Sequence, residues 1–142
     1  MDVDFTICVL PHIIIIGYIT YPLRVRRALQ EFEIVFYESE NGEKPVEIFL
    51  DSLNPKMRAK MLRSILIIKE YGYQTRMPYS EELEDGIFEL RAKVGSDISR
   101  VLYFFMVGRK VILTNGFIKK TQKTPREELE RAKRYMADYL SR

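Results

Sequence analysis

Two arginines and a cluster of lysines are the residues of this chain whose types and spacing can do chemistry. Arg91 closes the strand-like stretch Gly86-Ile87-Phe88-Glu89-Leu90-Arg91, and Arg100 lies in a second, Ser99-Arg100-Val101-Leu102-Tyr103-Phe104-Phe105. The run Gly116-Phe117-Ile118-Lys119-Lys120-Thr121-Gln122-Lys123-Thr124-Pro125 follows them. Guanidinium groups hold their charge and present a planar fork of donors that matches phosphate oxygens, and lysines add compact charges beside them. Such a set can surround a phosphodiester with fixed positive charge and stabilise extra negative charge on it without a metal ion.

The charge distribution points the same way. From Phe88 to the end there are 13 Lys and Arg against 6 Asp and Glu, whereas the preceding part has 10 against 14. A net charge of only +3 therefore conceals a basic half. Its natural partner is a polyanion, most simply nucleic acid, and the bland alternative is solvated charge on a helix and turns. No Gly-rich phosphate loop, Ser-His-Asp set, metal-binding histidine pair or dinucleotide fingerprint occurs. The single cysteine, Cys8, cannot close an internal disulfide, fits a reducing compartment and excludes a multi-thiolate zinc site.

These side chains need a scaffold, and 142 residues with 46% hydrophobic content are enough for one domain with a core. Glu33–Glu38 reads as a strand ended by Asn41-Gly42. Pro45–Leu53 reads as a short helix with Val46, Phe49, Leu50 and Leu53 on one face. Asn54-Pro55 then caps a longer helix to about Tyr71, with Met57, Met61, Ile65 and Ile68 as its apolar stripe and Gly72 as its stop. Gln74–Asp85 reads as an acidic loop. Phe88–Val94 alternates, with Glu89, Arg91 and Lys93 on one face. Ile98–Val107 is apolar on both faces, as a central strand would be, and Val111–Ile118 returns after Gly108-Arg109-Lys110. Thr124, Pro125 and Glu127 look like a capping box for a last helix that buries Leu129, Ala132, Met136, Tyr139 and Leu140. The expected architecture is α+β, a small antiparallel sheet against helices, spanning residues 33–142.

Residues 1–32 stand apart. Ile7–Ile19 is apolar but broken by Pro11, His12 and Gly17, and it is too short for a membrane span. Asp2 and Asp4 precede it, whereas a secretory leader starts with positive charge, and Arg24, Arg26 and Arg27 follow it. The segment reads as an added strand or hydrophobic arm, or as a stretch upstream of the true start.

In this order, before a terminal helix, the three quoted stretches resemble the RelE/ParE toxin superfamily, and most closely its HigB-type, phage-related branch. The resemblance covers roughly Glu33 to the C-terminus. It implies helices against an antiparallel sheet in a cytoplasmic toxin that cleaves messenger RNA in the ribosomal A site and is neutralised by a cognate helix-turn-helix antitoxin, with no cofactor, metal or membrane. Position by position, Arg91 and Arg100 match the basic strand residues of the family pattern, and Lys119 and Lys120 match its basic cluster after the last strand. On this reading the arginines clamp the scissile phosphate, and the lysines stabilise the leaving side or donate a proton after neighbouring cations depress an ammonium pKa. Glu89 is a candidate base or an exposed ion-pair partner. Lys93, Lys123 and Phe117 are candidate RNA contacts, with a core position as the alternative for Phe117. The Tyr or His that some members place near the chain end has no secure equivalent here, and the only histidine, His12, lies outside the matched stretch. A ParE-like inhibitor of a protein target such as DNA gyrase is the alternative function.

Overall fold

The computed structural model describes residues 7–10, 13–16, 19–22 and 31–142. The chain divides into two compact units, Met1–Glu31 and Phe32–Arg142. In the first, strands β1 (Ile7–Leu10), β2 (Ile13–Ile16) and β3 (Ile19–Pro22) form an antiparallel meander in which Cys8 pairs with Ile15 and Ile14 with Tyr21. Asp2, Asp4, His12, Arg24, Arg26 and Arg27 lie outside the described residues.

The second unit is α+β. Its elements are β4 (Glu33–Phe36), α1 (Pro45–Ser52), α2 (Pro55–Tyr71), β5 (Ser80–Glu82), β6 (Phe88–Val94), β7 (Asp97–Met106), β8 (Lys110–Ile118) and α3 (Arg126–Leu140). The five strands form one sheet in the order β4-β8-β7-β6-β5. The sheet is mixed, not wholly antiparallel as expected. β4 runs parallel to β8, from Glu33 opposite Lys110 to Phe36 opposite Leu113. Tight hairpins force antiparallel pairing on β5 to β8, but β4 reaches its neighbour only after two helices and three strands, so no turn dictates its direction.

The expected acidic loop also contains structure. Ser80–Glu82 pairs antiparallel with Phe88–Leu90. The turn between them carries two successive left-handed residues, Asp85 at φ 52° and Gly86 at φ 78°. That is the geometry an Asp-Gly dipeptide supplies to a two-residue hairpin turn.

Helix α2 starts where Asn54 accepts the Met57 N–H at 2.9 Å. It stops at Gly72, whose φ of 50° suits glycine, and a Cβ there would lie 2.0 Å from the Phe32 ring. Phe32 is therefore core. Its N–H donates to the Lys69 carbonyl, and its ring meets Tyr73 edge-on at 4.9 Å. A chain cut at Glu33 loses that ring.

Each face of the sheet has its own core. Val46, Leu50, Met57, Met61, Ile65 and Ile68 from α1 and α2 pack on Leu90, Val101, Tyr103 and Leu113. Leu129 and Ala132 from α3 pack on Leu102, Phe104, Ile112 and Phe117 across the sheet. Strand β7 is thus buried on both sides, which explains its continuous apolar run. Two expectations about α3 fail. Leu140 is 50% exposed. Pro125, not Thr124, is the capping residue, and no side chain caps the helix. The Thr124 hydroxyl is engaged elsewhere.

Candidate functional site

Arg91 of β6 stands directly opposite Arg100 of β7. Strand periodicity places Glu89 on the same face as Arg91. Like charges opposite one another in a sheet repel, and here a carboxylate lies between them. Arg91 Nε donates to Glu89 Oε1 at 3.0 Å, and Arg100 Nε lies 3.3 Å from the same oxygen. Glu89 is 1% exposed and Arg100 8%. Arg100 Nη1 donates to the Ser99 carbonyl at 2.9 Å, while its Nε makes no well-aligned hydrogen bond. Burial pushes the Arg100 guanidinium below its ordinary value and Glu89 opposes that shift.

Thr124, at the end of the lysine-rich turn, donates to Glu89 Oε2 at 2.6 Å. Both carboxylate oxygens are therefore engaged, and Glu89 is sealed from solvent. This geometry suits a group that holds two guanidiniums and a turn in place. It does not suit a base that meets substrate, nor the exposed ion-pair partner that was the other expectation. Arg91 is more accessible. Its Nη1 donates to Met77 Sδ at 3.0 Å and its Nη2 pairs with Glu81. Glu81 is exposed, so it is the partner an incoming phosphate can replace. Tyr103 is not a proton-transfer group: it is buried, and burial pushes its hydroxyl up to about 12.

Two grooves meet at this arginine pair. One, about 450 Å³, lies between α2 and the edge of β6 and receives Lys60, Arg63 and Lys93. The other, about 560 Å³, lies against Ser96 and the turn that carries Lys119 and Lys120. No acidic residue lines either groove. Among the described residues, none of these five cations has a carboxylate within ion-pairing distance. A third groove, about 360 Å³, shares Arg91 and Lys119 but adds Lys123 and the acidic Glu81, Glu82, Glu84 and Glu89.

The structure thus gathers Arg91, Arg100, Lys119 and Lys120 at one groove, places Lys93 with the arginines at the next and Lys123 on the acidic side. Phe117 does not join them. It is 8% exposed and belongs to the core with Leu129 and Ala132 of α3, although its place opposite Arg100 puts it on the same face of the sheet. It offers no face for a base to stack on. Sequence reasoning missed Thr124, read as a cap, and Lys60 and Arg63, whose helical spacing is that of any solvated face. Among the described residues, no group of three or more His, Cys, Asp or Glu is placed to hold a metal ion, and no helix is long and apolar enough to cross a membrane.

The family described as Phage derived protein Gp49-like (DUF891) matches residues 48–137, from α1 almost to the end of α3. No curated protein matches the chain. The chain belongs to the Gp49-like family, a toxin-like, phage-derived family within the RelE/ParE-like toxin superfamily.

Proposed function

We propose that this Gp49-like protein is the toxin of a type II toxin–antitoxin pair, and that it cleaves translated messenger RNA on the ribosome in the manner of the HigB-type branch. The observation that carries the reading is the meeting, at one guanidinium pair held by Glu89, of two grooves whose lysines and Arg63 have no carboxylate partner among the described residues. A phosphate exchanges for Glu81 at Arg91, while Glu89 and Arg100 keep the Arg91 fork aimed. The 2′-oxygen bonds to the adjacent phosphorus as its proton passes to a solvent water. The bond from phosphorus to the 5′-oxygen breaks, and Lys119 or Lys120 stabilises or protonates the departing oxygen. The cations supply the charge stabilisation, worth on the order of 3 kcal/mol for a key donor. No ready base stands beside the 2′-hydroxyl, and the ribosome offsets this by holding the message in line, an effect worth roughly 7–11 kcal/mol in favourable cases. The partners are then the ribosome, its message and a helix-turn-helix antitoxin, all in the cytoplasm.

One observation favours a second reading. With both Glu89 oxygens engaged, the same basic surface also suits a non-enzymatic grip on a protein target such as DNA gyrase. Mapping transcript ends after induction separates the two. New in-frame ends within translated messages support the nuclease, whereas intact messages accompanied by DNA damage support the gyrase reading and overturn it.

A further inference from the structure

We propose that the groove between α2 and the edge of β6 is a second nucleotide subsite, in which Tyr79 stacks on a base of single-stranded RNA and Lys60 and Arg63 hold phosphates flanking the one at Arg91. The inference rests on the RNA reading above and says where the strand runs. Four observations carry it. The groove contains cations from two elements, with no acid to compete. Strand β5 pairs with β6 as far as Leu90 and Tyr79 takes the next N–H, so the edge opens just past the arginine. Tyr79 stands at that opening, with its carbonyl fixed by the Arg91 N–H at 2.8 Å and its side chain among the exposed apolar groups, 38% accessible as a residue. Met77, Pro78 and Ile98 give an apolar floor beside it, which suits a base face. The groove shares Ile98, Arg91 and Arg100 with the Lys119–Lys120 groove, so the two form one path with the scissile phosphate in the middle. Its volume of about 450 Å³ lies in the small-ligand range, which suits a nucleotide and not a duplex.

Stacking asks only for an aromatic face, and a phosphate contact asks only for charge. The test is fluorescence anisotropy with a short fluorescein-labelled single-stranded RNA at several salt concentrations, using full-length protein. Circular dichroism checks each variant's fold. Tyr79→Leu should weaken binding on the order of tenfold and Tyr79→Phe should bind like the parent. The double variant Lys60→Ala, Arg63→Ala should weaken binding and flatten the dependence of log affinity on log salt by about 1.4, or roughly 0.7 for each lost contact. Loss in Tyr79→Phe equal to that in Tyr79→Leu overturns stacking and assigns the hydroxyl instead. Parental binding in both Tyr79→Leu and the Lys60, Arg63 variant, with weakened binding in Lys119→Ala, Lys120→Ala, overturns the subsite and leaves the RNA reading standing. Absence of salt-dependent binding by the parent overturns both.

Discussion

Along α3, positive charge is matched at every residue but Arg134, whereas most of the cations in the grooves at the end of the sheet have no acidic partner among the described residues. Arg126 meets Glu84 and Glu130, Arg131 meets Glu127 and Glu128, Lys133 meets Glu84 and Asp85, and Arg142 meets Asp138. Hydrogen bonds to Asp85 and Glu84 raise Lys133 above its ordinary value, and a bond to Glu84 raises Arg126. At the sheet end, Lys60, Arg63, Lys93, Lys119 and Lys120 meet no carboxylate among the described residues, and one buried carboxylate serves two arginines. The difference teaches that the excess of Lys and Arg after Phe88 is a poor guide to a site. Much of that charge is paired, with Glu127, Glu128, Glu130 and Asp138 of the same half and with Glu84 and Asp85 from before Phe88, while Lys60 and Arg63 come from the half that counts as acidic. Unpaired cations facing a shared groove are the informative ones, because a polyanion can release their counterions without first breaking an ion pair.

The largest effect that distinguishes the two regions is on stability. Glu89→Leu leaves Arg91 and Arg100 facing each other with only the exposed Glu81 as countercharge, and loss of one partner from a buried ion pair costs about 3–5 kcal/mol. Glu127→Ala, which removes an exposed partner of Arg131, should cost less than about 1 kcal/mol. Urea unfolding of the two variants measures the contrast. Equal losses would show that the two charge clusters do not differ in the way their burial implies.

A smaller effect separates the two arginines. Arg91→Ala should keep the fold and lose cleavage of ribosome-bound message by a factor of roughly 10²–10³, the scale for one donor to a developing anion. Arg100→Ala should lose activity and also stability, because its side chain is buried and helps to neutralise Glu89. Arg91 also donates to Glu89, but it is the more exposed of the two, so its removal should cost the fold less. Thermal unfolding beside a cleavage assay reads both quantities. An Arg100→Ala protein as stable as the parent would show that the burial of Arg100 does not contribute to stability.

Smaller again is the effect of the lysines. Lys119→Ala combined with Lys120→Ala should leave unfolding unchanged and flatten the salt dependence of RNA binding by about 1.4. Arg131→Ala combined with Arg134→Ala on α3 should change neither RNA binding nor growth inhibition. Equal weakening from the two pairs would show general basicity at work, without a groove.

The helices were legible because their signals are local. Asn54-Pro55 and the stripe Met57, Met61, Ile65, Ile68 fix α2 without reference to anything distant. The β6–β7–β8 meander was legible from its alternation and its turns. The parallel pairing of β4 was not, since two strands far apart in sequence carry no mark of their register. The β5–β6 hairpin had a signal in Asp85-Gly86, masked because Ser80-Glu81-Glu82 has almost no strand character. In the site, Arg91 and Arg100 could be found from their strands, but that they face each other over Glu89 depends on cross-strand register. Thr124 shows the limit most clearly. A hydroxyl before Pro125 satisfies the pattern of a helix cap, whose oxygen would accept a first-turn N–H, yet in the fold the helix starts one residue later and the hydroxyl donates to Glu89.

The smallest effect tests the matched region by pH. The Lys133 hydrogen bond lowers Glu84 below its ordinary 4.5 and Asp85 below its ordinary 3.8. A carboxylate whose folded pKa is depressed binds fewer protons folded than unfolded. Its contribution is therefore complete above the ordinary value and lost as the pH falls through the lowered one. Lys133→Met keeps the apolar stem and removes the charge, so it should unfold at a lower temperature than the parent at pH 7. The gap should close as the pH drops below about 4.5 and the carboxylates become protonated. Added salt should narrow it at pH 7 as well, since these groups face solvent and are screened. Lys120 holds no carboxylate among the described residues, so Lys120→Met should follow the parent's melting temperature across the same range. A Lys133→Met deficit that persists unchanged into acid would mean that the lysine stem, and not its charge, ties α3 to the Glu84–Asp85 turn.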